Sequence, residues 1–288
     1  DHRDLHYPLR RQRQMCIRDR YKNYVDGKYV RSESGKTYTI DLKSESYELP
    51  LTSKKDLRDA VTSSKKGFDS WKGLSQYNKT QIIYRLSEML EGNRDSYVDL
   101  LLEHGLTKST ANKDIDNAIN TLVWYAGLAD KWEQLTGNLN PVDGEFFNIS
   151  HQEPLGIVFT LNSDEVSIDK LVRSFLPALS TGCSVINLSE KNAVLSLKLA
   201  EDVNNSDIPA GTLNLLSGDF SKVFDDVSRH VEINAFASYK KLNKEILKTI
   251  NENASTSVKR IFHLPSEDGL SSILPFIETK TVWHPKGR

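Results

Sequence analysis

The hydrophobic pattern of this chain changes period as it runs. From Leu57 onward apolar residues recur at helical spacing: Leu57, Ala60, Val61, Phe68 and Trp71, then Ile82, Ile83, Leu86, Met89 and Leu90, then Tyr97, Val98, Leu101 and Leu102. A fourth stretch, about Ile115 to Leu135, carries Ile115, Ile119, Leu122, Ala126 and Ala129 on one side, with Trp132 near its end. These stripes predict four amphipathic helices with their apolar faces in a core. In Ser53-Lys54-Lys55-Asp56 a hydroxyl precedes a carboxylate by three residues, the spacing of a capping box, and this predicts where the first helix starts.

The pattern then becomes two largely apolar runs, Ile157–Leu161 and Cys183–Leu188. Between them lie a helical pattern (Ile168, Leu171, Val172, Phe175, Leu176) and the turn Pro177-Ala178-Leu179-Ser180-Thr181-Gly182. Strands buried on both faces read as continuous runs, so this is one βαβ unit, and it organises the chain. The alternation continues as helix 192–203, strand 213–216, helix 221–229, strand 233–237, helix 243–251 and strand 258–263. Helices of this length between strands predict right-handed crossovers and a parallel sheet.

Period-two signals occupy the two ends. Asp26-Gly27 sits between β-rich flanks in Tyr21–Val30, a two-residue hairpin turn whose positions need positive φ. Lys36–Ile40 continues as a strand, Phe146, Phe147 and Ile149 mark a short one, and Phe276–Trp283 alternates like a half-exposed strand.

Composition narrows the class. With 288 residues the chain can bury a sizeable core, and a net charge of −1 gives no overall drive toward nucleic acid or anionic membrane. No apolar run approaches the ~20 residues of a spanning helix. The two cysteines, Cys16 and Cys183, build no disulfide framework, which fits a soluble protein of the cytoplasm. The start, Asp1-His2-Arg3-Asp4, lacks the apolar core of a signal peptide. Residues 1–20 hold six arginines and no lysine, against eight arginines in the rest of the chain. Such a break reads as a non-native tail translated from adapter DNA, with a basic nucleic-acid arm as the alternative. On the first reading the natural protein begins further upstream.

The organising stretch, with Glu153-Pro154-Leu155-Gly156 ahead of it and Ser189-Glu190 after it, resembles the aldehyde dehydrogenase superfamily. That family's cofactor domain opens with E-P-L-G-V-V, then P-W-N-F-P, P-A-L-A-A-G-N and V-V-L-K-P-S-E. Trp124–Lys131 is similar to the family's Y-Y-A-G-L-A-D-K, and Ile208–Gly218 to its L-P-P-G-V-L-N-V-V-T-G. The resemblance implies an α/β fold of cofactor-domain type: a Rossmann-like parallel sheet with flanking helices. It also implies a small oligomerisation β-sheet built from both termini. The expected division is a tail at 1–20, oligomerisation strands at 21–50, the Rossmann domain at 51–268 and a closing oligomerisation strand at 269–288.

The chemistry of the family does not carry over. The position of the oxyanion-hole Asn falls on Glu165, which offers no N–H donor. The ribose-binding Lys falls on Leu188 or into a gap, and the phosphate-facing G-S-T-x-x-G loop aligns with Lys240–Glu245, without glycine. Leu264 takes the place of the catalytic Glu, and only about twenty residues follow Ser266, the closing strand included, where the family has a catalytic domain of ~100 residues or more carrying its Cys. Cys183 reads as a small core thiol. What remains is a vestigial pocket of Ser189, Glu190 and Gly218, with no catalytic residue and no metal site; NAD or NADP is the cofactor only if the ancestral site still binds. Lys240, Lys241 and Lys244 read as a solvated helix start before a phosphate site. His104, His151, His230, His263 and His284 show no ligand spacing, and Asp225-Asp226 reads as helix-surface charge.

This pattern is similar to the truncated, degenerate C-terminal region of aldehyde dehydrogenase family 16. The expected function is a non-catalytic, structural or dimerisation module, whose terminal strands pack on another copy or on an upstream catalytic module. One alternative is a working NAD(P)-dependent aldehyde dehydrogenase. Another is a stand-alone interaction scaffold using the helices around 80–130.

Overall fold

The computed structural model describes residues 21–263 and 269–287. The tail expected at residues 1–20, and Leu264 at the position of the family's catalytic Glu, lie outside the described residues.

Twelve strands are present among the described residues. They are β1 (Asn23–Val25), β2 (Lys28–Val30), β3 (Thr37–Asp41), β4 (Ser46–Pro50), β5 (Asn138–Asn140), β6 (Phe146–Pro154), β7 (Ile157–Leu161), β8 (Ser184–Ser189), β9 (Leu213–Ser217), β10 (Ala235–Ser238), β11 (Arg260–His263) and β12 (Ile277–Pro285). Seven of them form one sheet in the order β11-β10-β7-β8-β9-β1-β2, parallel from β11 through β9. Every residue of β7, β8 and β9 is buried, the polar Thr160, Ser184, Asn187, Asn214 and Ser217 included, as strands covered on both faces require.

The helices are α1 (Lys54–Lys72), α2 (Gln76–Gly92), α3 (Arg94–Glu103), α4 (Lys108–Ala129), α5 (Trp132–Thr136), α6 (Ile168–Arg173), α7 (Leu176–Ser180), α8 (Ala193–Asn205), α9 (Phe224–Arg229), α10 (Lys244–Ser255) and α11 (Leu270–Ile273). The capping box opens α1 as its spacing predicts: Ser53 Oγ accepts from the Asp56 N–H at 3.2 Å, and Asp56 Oδ2 accepts from the Ser53 N–H at 2.8 Å. Helix α4 starts one turn and more before Ile115, because Thr107 caps it through the Thr110 N–H. The segment between β7 and β8 is two short helices, not one, since Pro177 has no N–H to continue the first. The helix expected at 221–229 likewise divides into a 3₁₀ turn at Phe220–Lys222 and α9. Apolar side chains fill both faces of the sheet: Leu171, Val172, Phe175 and Leu195 on one side, and Leu57, Phe159, Phe220 and Phe236 on the other.

The terminal strands correct one expectation. The N-terminal hairpin does not build the small sheet. It joins the main sheet, with Tyr24 opposite Leu215 across an antiparallel β1–β9 pair. The reason is burial: Asn23, Tyr24 and Val25 are all inside, and Asn23 Oδ1 accepts from the Ser217 N–H at 3.0 Å. Strands β3 and β4 pair only with each other among the described residues. The separate three-stranded sheet is β12-β6-β5, so only its last strand comes from a terminal segment.

The motif Pro-x-Gly-x-Leu-Asn is a packing device. Gly211 has φ +81°, and a Cβ there would lie 2.4 Å from the Ser63 carbonyl oxygen. A Cβ on Gly67 of α1 would come within 2.1 Å of the Gly211 backbone, so helix and turn touch backbone to backbone. Asn214 completes the joint. Its Nδ2 donates to Ser64 Oγ and the Gly211 carbonyl, and its Oδ1 accepts from the Asp26 N–H.

Candidate functional site

The order of the parallel strands reverses at β7, with β8 and β9 on one side and β10 and β11 on the other. In open α/β sheets ligands bind beyond the carboxyl ends of the strands at such a reversal. Here that crevice is bounded by Asn162–Glu165 after β7, Ser189-Glu190 at the end of β8, Ser217-Gly218 at β9, and Ser238–Lys241 at β10. Ser189, Glu190 and Gly218 do come together: the Gly218 N–H donates to the Ser189 carbonyl at 3.2 Å.

Each of the three is committed to a partner within the chain. The fully buried Ser189 hydroxyl accepts from Asn162 Nδ2 and donates to Asn187 Oδ1, both at 3.3 Å. Gly218 is covered by the chain itself, since a Cβ there would lie 3.1 Å from the Thr52 backbone nitrogen. Glu190 Oε1 accepts from the Phe220 N–H at 2.7 Å, and its other oxygen pairs with the Lys240 ammonium. Lys240 Nζ also reaches Asp164 Oδ1 at 3.3 Å.

Lys240 therefore crosses the reversal point, tying the loop after β10 to those after β7 and β8. Burial works against its charge, but the carboxylates of Glu190 and Asp164 outweigh burial and hold the ammonium above the usual lysine range. The phenol of Tyr38 donates to the Glu190 carbonyl at 3.4 Å and closes the crevice from the β3 side. Burial pushes this phenol well above the usual tyrosine range, so it stays a donor.

The flanking helix starts are also filled. The N-terminus of α6 is capped by a carboxylate from α4: Asp114 accepts from Ser167 Oγ at 2.5 Å and from the Ile168 N–H at 2.7 Å. Burial raises the Asp114 carboxyl despite these bonds. Glu165, at the oxyanion-hole position, turns outward and pairs with Lys170. At α10, where a phosphate would find free N–H groups, Asn243 Oδ1 takes the Ile246 N–H at 2.7 Å. Lys241 and Lys244 point to solvent, as a solvated helix start requires, while Lys240 folds back into the crevice.

Cys183 lies at the other end of the sheet. It precedes the first residue of β8, roughly 23 Å of strand from Glu190. The thiol is buried, donates to the Phe276 carbonyl at 3.4 Å, and is pushed up by burial, which keeps it in the thiol form. Among the described residues no group of three or more His, Cys, Asp or Glu side chains could hold a metal. Asp225 and Asp226 tie elements together, pairing with Arg229 and Asn253 and with Lys54 of α1.

Pattern reading along the chain missed the roles of Asp164, Tyr38 and Thr52. Asp164 and Lys240 are 76 residues apart, and Tyr38 and Glu190 are 152 apart. No local spacing signals contacts at that range.

A doubly wound parallel sheet with its crevice at the strand carboxyl ends defines a Rossmann-like α/β protein. The aldehyde dehydrogenase family model matches residues 30–262, and the chain belongs to that family. DhaS from Bacillus subtilis (strain 168), itself named only provisionally as an aldehyde dehydrogenase, is 29% identical over 253 residues, covering 83% of this chain and 49% of DhaS. Omega-crystallin from Enteroctopus dofleini is 29% identical over 223 residues, with 74% and 44% covered. The apo structure of a point mutant of betaine aldehyde dehydrogenase from Staphylococcus aureus shares the fold, with a TM-score of 0.79 at 23% identity over 88% of this chain and 52% of that one. The chain thus spans about half the length of the curated relatives it matches. No helix among the described residues is long and apolar enough to cross a membrane.

Proposed function

We propose that this chain is a non-catalytic aldehyde-dehydrogenase-like module, a structural part of a longer NAD-dependent aldehyde dehydrogenase arranged as in family 16. One observation carries the reading: Lys240 bridges Glu190 and Asp164 across the crevice where a dinucleotide would lie. An incoming pyrophosphate would have to displace that ammonium and then face two carboxylates at short range, an arrangement that repels it. The motif residues held in common with the family support the same view. Gly211 and Asn214 work as joints between α1, β9 and the hairpin, so they are needed whether or not chemistry takes place.

The partner in this reading is another copy of the chain or an upstream dehydrogenase module, engaged through the three-stranded sheet. The residues between β11 and β12 are 264–276, so the described chain passes from the last parallel strand to this sheet with no domain between.

Calorimetric titration with NAD and with NADP, paired with NADH absorbance on short aldehydes, tests the proposal. No saturable heat and no NADH above blank are expected. Aldehyde turnover that survives repurification would overturn it and install the second reading, an active NAD(P)-dependent enzyme. One relative, the D-glyceraldehyde dehydrogenase (NADP(+)) of Picrophilus torridus, 27% identical over 220 residues, favours that alternative.

A further inference from the structure

Three aspartates in the chain are followed by glycine: Asp26, Asp143 and Asp268. Asp268 lies outside the described residues, and the other two stand in opposite surroundings. Asp143 and Gly144 occupy the loop Pro141-Val142-Asp143-Gly144-Glu145, which joins β5 to β6. Both are exposed, and among the described residues no bond between backbone groups holds residues 141–144. A loop held so little changes its dihedrals at small cost.

The Gly144 N–H donates to Asp143 Oδ1 at 2.9 Å, so the amide nitrogen already lies against the carboxyl group of the residue before it. Groups held at that range need little reorganisation before they react. Gly144 also leaves the nitrogen uncovered. A Cβ there would meet one atom within 4 Å, Phe146 Cδ2 at 3.8 Å, so open space surrounds the residue. Its φ of +93° is one that glycine adopts freely.

We propose that Asp143 is a self-modification site, at which the native chain converts aspartate to isoaspartate. The Gly144 nitrogen bonds to Asp143 Cγ, and one carboxyl oxygen leaves as water with the carboxyl and amide protons, closing a succinimide ring. Water then adds to the ring carbonyl that was the main-chain carbonyl of Asp143, and the bond from that carbon to nitrogen breaks. The chain now runs through Cβ and carries a free α-carboxylate. Nothing is oxidised or reduced, and water is the only co-reactant. The added backbone atom falls beside Glu145, whose carbonyl accepts from the Lys286 N–H at 2.7 Å, and near Phe146, whose ring meets that of Trp283 edge-on. The new carboxylate stands in an exposed loop, open to a methyltransferase that esterifies isoaspartate.

Asp26 supplies the contrast within the same chain. It sits in the turn between β1 and β2 with φ 56°, and Gly27 follows with φ 69°. Its N–H donates to Asn214 Oδ1 at 3.0 Å, and its Oδ1 accepts from Ser63 Oγ at 3.3 Å. A Cβ on Gly27 would lie 3.1 Å from Ala210 Cβ, so the turn is packed against the segment before β9. Bringing the Gly27 nitrogen onto the Asp26 carboxyl requires this joint to open.

Peptide mapping of the full chain, aged at neutral pH and physiological temperature, is the test. Isoaspartate is assigned to each position by fragmentation and by methyl transfer from labelled S-adenosylmethionine. In the native chain it forms at Asp143 at least about tenfold faster than at Asp26, since only the second site must open first. In urea the two sites react at similar rates. Folding therefore slows Asp26 and leaves Asp143 within about twofold of its unfolded rate. Asp143→Glu, whose longer side chain cannot close the same ring, removes the product at that position and leaves the rate at Asp26 as it was. Equal native rates at the two sites overturn the proposal, and so does a native rate at Asp143 about tenfold or more below its rate in urea. The readout is a covalent change in the loop, so nucleotide binding in the crevice refutes only the non-catalytic reading.

Discussion

Replacing Lys240 by methionine tests the closed crevice. The variant keeps the length and much of the apolar stem of the side chain but removes the cation between Glu190 and Asp164. About a fifth of the Glu190 and Lys240 side chains is exposed, while Asp164 is more than two-fifths exposed. The Asp164 contact is therefore screened and adds little. The Glu190 contact is a charge-assisted bond in a largely desolvated place, and its loss leaves a carboxylate held by the Phe220 N–H alone. Losses of that kind run to about 1.5–3 kcal/mol, so about 2 kcal/mol is expected, or roughly 4–6 °C in Tm for a domain of this size. Glu190→Gln should cost a similar amount. The two changes together should cost about as much as either one, because the second removes a charge already stranded by the first. Urea unfolding of the four proteins measures the cycle, with the solvent-facing Lys241→Met as a control expected to change stability by less than about 0.5 kcal/mol. Additive single costs, or a Lys240→Met variant no less stable than Lys241→Met, would refute the bridge.

Two further predictions concern groups away from the crevice. Burial lowers the Lys259 ammonium to about 8, although its Nζ donates to the His230 and Ile233 carbonyls at 2.6 and 2.7 Å. The unfolded chain keeps this proton up to its ordinary value of 10.5, so above pH 8 the unfolded state binds more protons and stability rises with pH. The gain between pH 8 and 9.5 is about 1.5 kcal/mol by urea unfolding, and Lys259→Met should flatten that slope. For Cys183, a Cys16→Ser background should show no thiol reactive toward dithionitrobenzoate in the native state and one after denaturation. Fast native labelling would put the thiol in a reactive setting that its burial against the Phe276 carbonyl contradicts.

Elements with strong local signals could be read along the chain. The capping box at Ser53, the buried runs of β7 and β8 and the stripes of α1 to α3 each appear where the pattern puts them, because burial and capping act within one or two turns. Short pieces such as β4 and β5 carry too few residues to show a period, and they escaped notice.

The amino-acid sequence by itself determined the family and the parallel α/β core, since each rests on residue types in local order. Which sheet the N-terminal hairpin joins was decided only in three dimensions, by the burial of Asn23, Tyr24 and Val25 against β9. The same holds for the bridge from Lys240 to Glu190 and Asp164, whose partners stand 50 and 76 residues away. Strand pairing and ion pairing depend on distances that folding sets, and a charge meets its counter-charge only after the sheet has brought the two loops together.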